Sequence, residues 1–165
     1  MNHEESKLQQ QCVAWFRSEY PQYAMLLTHP INEGSGHTQT DRRRQGIHKA
    51  EGAVAGVADL LFFLSAIFFE NNSSIGSEYH GLGIEFKTAK GRLSQEQMDF
   101  QKMYEAADYR YVVIRDKDSF MNTINTWIAH ANVPTKNRIF NAYTDIKKAA
   151  EAKEREHFYK VIGRK

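Results

Sequence analysis

Between Asp59 and Phe69 the chain reads Asp-Leu-Leu-Phe-Phe-Leu-Ser-Ala-Ile-Phe-Phe, and this run narrows the open folds more than any other segment. A stretch with only Ser65 to interrupt its apolar side chains has no water-facing side. It predicts a strand buried on both faces, as in a sheet covered by helices. It is too short to cross a bilayer. A second strand is predicted at 81–88, with turn chemistry from Asn71 to Ser77, so the two strands read as a hairpin.

The flanking segments supply the cover. Residues 4–19 read as a helix with Glu5, Leu8, Cys12, Trp15 and Phe16 on one stripe, ended by Pro21. Residues 29–52 read as a long loop with a helical turn, and carry Arg42, Arg43, Arg44, His48 and Lys49. So long a connection is uncommon unless it is functional. A helix at 94–107 should turn Phe100, Met103, Tyr104 and Ala107 inward, and 109–115 is a strand. A helix at 119–130 should turn Phe120, Ile124, Trp127 and Ile128 inward, and Pro134 marks a break before one or two charged helices outside the core. The order helix, strand, strand, helix, strand, helix implies a compact α/β domain.

Charge is unevenly spread. Residues 131–165 hold nine basic and four acidic residues, a net of +5, which leaves −3 for the rest of the 165-residue chain. A basic tail on an acidic body suits a protein that touches phosphate while keeping carboxylates for metal ions, although a solvated charged helix reads the same way. The single cysteine, Cys12, excludes an internal disulfide and a cysteine-rich zinc site, and the histidines show no ligand spacing. With a polar, acidic N-terminus, these features predict a protein of the reducing cytoplasm with no membrane partner.

Glu85-Phe86-Lys87 carries the chemistry. On a strand, residues i and i+2 share a face, so Glu85 and Lys87 project together and Phe86 anchors the other side. The same Glu-x-Lys pattern at Glu5-Ser6-Lys7 and Glu151-Ala152-Lys153 falls in predicted helices, where the two side chains diverge. Asp59 opens the neighbouring strand. If the strands pair, two carboxylates and an ammonium meet at one edge of the sheet. Two hard carboxylates can hold Mg²⁺ or Mn²⁺ for phosphodiester hydrolysis, with the lysine orienting water or stabilising charge on phosphate. The competing reading is an exposed cross-strand charge pair. Ser94 and Gln97 have the spacing of a capping box at the start of the next helix, which does not prevent Gln97 from also edging the site. Glu5, a carboxylate on an apolar stripe, needs a partner or favours the helix dipole.

The segments Gly56-Val57-Ala58-Asp59-Leu60, 81–88 and Gly91-Arg92-Leu93-Ser94-Gln95-Glu96-Gln97 together resemble the VRR-NUC domain, a branch of the PD-(D/E)XK nucleases. The resemblance covers about residues 4–130, with Ala58 where the family usually has proline. It implies a restriction-endonuclease-like α/β core, a central mixed β-sheet flanked by helices, as a nuclease domain over 1–130. Residues 131–165 would be a basic helical extension. It implies metal binding by Asp59 and Glu85 with the Phe86 carbonyl, Lys87 as catalytic lysine, and Glu5 and Gln97 completing the site. A homodimer is implied too, in a bacterial or phage-infected cell.

The expected activity is a Mg²⁺- or Mn²⁺-dependent, structure-selective DNA endonuclease acting on branched DNA such as Holliday junctions. Phosphate contacts are expected from Arg42, Arg43, Arg44, Lys49, Lys90, Arg92 and Ser94. A flap nuclease or nickase of the same fold, and a non-catalytic DNA-binding module, remain the alternatives.

Overall fold

The first helix, α1 (His3–Glu19), buries Gln9, Cys12 and Phe16 along one face. With Glu5 at its N-terminal end this is an i, i+4, i+7, i+11 stripe, so the inward face centres on Gln9, while Leu8 and Trp15 are half-buried. The structure, a computed structural model, describes residues 3–30, 47–69 and 76–162. It falls into two compact units, Met1–Ala131 and Asn132–Lys165.

After Pro21 the chain makes a 3₁₀ turn (Pro21–Leu26) and a short strand, β1 (Leu27–Thr28). Residues 47–50 form a helical turn. The apolar run is two strands instead of the single one expected. β2 (Leu60–Phe62) joins the main sheet, and β3 (Ala66–Phe69) pairs antiparallel with β4 (Gly76–Tyr79) in a separate two-stranded sheet. The break has a physical reason. Leu64 is fully buried, and its carbonyl is taken by the Trp127 indole N–H at 2.8 Å. The Leu64 carbonyl therefore keeps a hydrogen-bond partner away from the ladder. β4 falls partly inside the stretch read as a turn, and it also separates the predicted hairpin partners in sequence.

The main sheet has the order β1-β2-β5-β6, with β5 (Leu82–Phe86) and β6 (Arg110–Ile114). β1/β2 and β2/β5 are antiparallel and β5/β6 is parallel, so the sheet is mixed, as the sequence suggested. The helix α2 (Gln95–Ala106) precedes β6, and α3 (Lys117–His130) follows it.

One face of the sheet is packed with aromatic side chains. Phe16 meets Phe62 edge-on at 5.3 Å, and Phe86 stacks near Phe120 at 6.0 Å. All four are fully buried, each stabilising the fold by roughly 1.5–3 kcal/mol. α2 covers the other face near Gly83, where an added Cβ would lie 2.9 Å from the Tyr104 ring. Phe100 and Tyr104 stack at 5.2 Å, but Met103 is 71% exposed, so the predicted inward face is narrower than the apolar spacing implied. In the second unit one helix, α4 (Val133–Ile162), runs without interruption. Pro134 sits in its first turn, where a missing N–H removes no helical bond, and the Asn132 side chain accepts from the Thr135 amide at 3.4 Å. No helix among the described residues is long and apolar enough to cross a membrane.

Candidate active site

The β2–β5 register decides where the acids fall. Leu60 lies opposite Ile84, so one step back along the chain Asp59 comes beside Glu85 on the same face. Asp59 precedes β2, and its carboxylate stands in for a ladder carbonyl: Oδ2 accepts the Phe86 amide hydrogen at 2.8 Å. The segment leading to it is fixed by Gly56, whose φ is +78° and where a Cβ would come within 2.3 Å of the Glu96 backbone. Only glycine allows this approach to the first turn of α2.

Glu85 is 1% exposed and held by three donors. Lys87 Nζ lies 2.6 Å from Oε1, Gln97 Nε2 also donates to Oε1, and the Tyr111 hydroxyl donates to Oε2 at 3.3 Å. Gln97 faces both ways. Its Oε1 accepts from the Ser94 amide at 3.0 Å while its own amide donates to the Ser94 hydroxyl at 3.3 Å, completing a capping box. The cap therefore aims the Gln97 NH₂ group at Glu85, so the capping box and the hydrogen bond to Glu85 coexist.

Burial pushes the Asp59 carboxyl above its ordinary pKa, against the Phe86 hydrogen bond and the nearby Lys87 and His29 charges; Glu5 adds to the rise. Burial also raises Glu85, against its Lys87 hydrogen bond, and the Asp59 charge raises it further. Tyr111 is raised by burial and then by Glu85, so it stays a hydroxyl donor. Three carboxylates, Glu5, Asp59 and Glu85, come together near the Lys87 ammonium, with His29 also beside Asp59.

Among the described residues no three His, Cys, Asp or Glu side chains gather tightly enough to hold an ion by themselves. Two hard carboxylates suit an ion that keeps several waters and takes further ligands from substrate, as Mg²⁺ does. On this donor set the residues fit such an ion. Glu5 stands at the rim, where its Oε1 accepts the Thr88 amide at 3.1 Å and so ties α1 to the end of β5. Arg115 donates to the Thr88 carbonyl from the other side. The Phe86 backbone lies between Glu85 and Lys87, with its ring buried.

Of the expected phosphate contacts, Lys90, Arg92 and Ser94 are exposed on the connection from Lys87 to α2, at the rim of the site. Lys49 is exposed in the helical turn at 47–50. Arg42, Arg43 and Arg44 lie outside the described residues. The sequence alone assigns no site role to Tyr111, Gln9 or Arg115, and His29 enters it only within the His29-Pro30-Ile31-Asn32 stretch that fits the family resemblance. Tyr111 sits opposite Gly83 on β6, and a hydroxyl inside an apolar strand was its signal. Gln9 was signalled by polarity on the α1 stripe one turn after Glu5. The chemistry of His29 and Arg115 left no pattern of spacing to find.

Neither a protein-family model nor a curated protein matches the chain by sequence. A solved structure of a VRR_NUC domain protein is similar to it with a TM-score of 0.61 and 19% identity, over 80% of this chain and 93% of that chain. What the two share at that identity is the fold, a mixed sheet flanked by helices.

Proposed function

We propose that the chain is a metal-dependent, structure-selective DNA endonuclease that hydrolyses phosphodiester bonds in branched DNA such as four-way junctions. The observation that carries this reading is the convergence of Asp59, Glu85 and Lys87, with Gln97 on Glu85, at one edge of the sheet. The likeness to a VRR_NUC domain protein supports it at the level of fold.

In this reading Asp59 and Glu85, with the Phe86 carbonyl, hold Mg²⁺ or Mn²⁺, and Glu5 steadies the rim. When bound, the ion supplies an activated water and offsets charge growing on the scissile phosphate. Lys87 has three N–H donors. One is directed to Glu85, and the others can reach a phosphate oxygen or the attacking water. Gln97 and Tyr111 fix the Glu85 carboxylate so that it does not swing when substrate arrives. Lys90, Arg92 and Ser94, with Lys49 and Arg42 to Arg44, bind the sugar-phosphate backbone. A small domain with phosphate contacts around one centre suits recognition of DNA shape over sequence, and a homodimer would give two centres for paired cuts.

The test is cleavage of matched-length duplex, flap, splayed-arm and four-way-junction DNA with Mg²⁺ or Mn²⁺, beside an EDTA control. Symmetric, metal-dependent cutting of the junction is the expected result. Flap cutting alone would keep the nuclease and remove the junction preference. Junction binding without cutting under either metal would favour a non-catalytic DNA-binding module.

A further inference from the structure

We propose that Gln9 and His29 are positioning residues: together they clamp the backbone carbonyl of Asp59 and so set the direction of its carboxylate. The proposal rests on the reading of Asp59 as a metal-binding group. His29 Nδ1 lies 2.7 Å from the Asp59 carbonyl oxygen, and Gln9 Nε2 lies 3.4 Å from the same atom. A carbonyl oxygen only accepts, so Nδ1 carries the ring hydrogen in this contact. Gln9 Nε2 is also a donor, which makes its 3.3 Å approach to Nδ1 a consequence of two donors sharing one acceptor.

The clamp has work that the sheet leaves undone. Asp59 lies before β2, and the paired register begins at Leu60. Its peptide is therefore held by side chains. The carboxylate is fixed at Oδ2 by the Phe86 amide, and the carbonyl is fixed from the opposite end by α1 and the residue after β1. With both ends held, rotation of the Asp59 peptide is restricted, and the carboxylate is placed before an ion arrives. Gln9 is a buried polar residue, so its amide has few alternatives to this acceptor. Partners that orient a metal ligand without touching the metal typically change affinity 10- to 100-fold when removed.

The test uses the full chain with His29→Ala, His29→Asn and His29→Gln. Asparagine returns an N–H donor close to the Nδ1 position, whereas glutamine puts its donor near Nε2. In metal-free protein, hydrogen exchange at the Phe86 amide should speed up roughly 3- to 10-fold in His29→Ala and His29→Gln, and return towards wild type in His29→Asn. The Mn²⁺ concentration needed for a fixed rise in Tm should increase about 10- to 100-fold in His29→Ala and recover in His29→Asn. Wild-type Phe86 exchange and a wild-type Mn²⁺ requirement in His29→Ala would overturn the clamp, as would His29→Asn behaving like His29→Ala. If wild-type protein shows no Mn²⁺ response, the metal reading itself fails, and Phe86 exchange alone then decides the clamp.

Discussion

The Asp59 carboxylate accepts the Phe86 amide hydrogen at 2.8 Å, so an acid outside the ladder is fastened to the strand that carries Glu85 and leads into Lys87. Asparagine at position 59 can accept the same hydrogen without the charge. Because burial raises the Asp59 pKa above its ordinary 3.8, folding favours the neutral form. That stability is complete below the unfolded-state value and lost as pH rises through the folded-state value. Asp59→Asn should therefore melt at or above the wild-type temperature at pH 7.5, the difference shrinking to nothing below about pH 4. It should also lose the rise in Tm given by Mg²⁺ or Mn²⁺, and cleavage should fall at least about 100-fold. Melting curves across pH, with and without metal, check both halves.

Gln97 joins a helix cap to the buried Glu85. Gln97→Glu keeps an acceptor for the Ser94 amide but sets a second carboxylate against Glu85. It should preserve α2, as judged by circular dichroism, while raising the metal concentration needed for cleavage. Gln97→Ala should lose the hydrogen bond to the Ser94 amide, about 0.5–1.5 kcal/mol, and also at least about 10-fold in cleavage at limiting metal. Denaturant melts beside metal titrations separate the two effects.

Gly56 and Gly52 both have positive φ, +78° and +101°, yet only Gly56 is crowded. Gly52→Ala should cost about 1–2 kcal/mol from backbone strain alone. Gly56→Ala adds a clash with the Glu96 backbone and should cost clearly more, with cleavage lost as the Asp59 segment moves away from α2. Urea midpoints of the two variants give the comparison.

Lys90 and Arg92 follow the site on the way to α2. Replacing each by glutamine should weaken binding to every DNA structure alike, and should reduce the slope of log affinity against log salt by about one per residue. Fluorescence anisotropy over a salt series measures this. A change confined to the junction would instead assign them to shape recognition.

Much of this was legible in the sequence because strand periodicity is short-range. Glu85 and Lys87 share a face through the alternation of one strand, and Asp59 needed only one pairing to join them. The break after Phe62 was hidden, since Phe63, Leu64 and Ser65 look like a continuing strand; what ends the strand there is a distant indole, Trp127, taking the Leu64 carbonyl. Met103 has helical spacing but reaches solvent, while Tyr104 on the same helix takes the space over Gly83. The hydrogen bonds of His29 and Tyr111 to site residues cross 30 and 26 positions, separations that no local pattern encodes.

The most direct test of the central claim is single-turnover cleavage of a four-way junction with Mn²⁺ by wild-type protein and Lys87→Ala, each at saturating protein. Lys87 is predicted to act on the reacting phosphate, so the variant should bind the junction comparably and cut it about 100- to 10,000-fold more slowly. Equal cutting rates would contradict an active centre built on Asp59, Glu85 and Lys87.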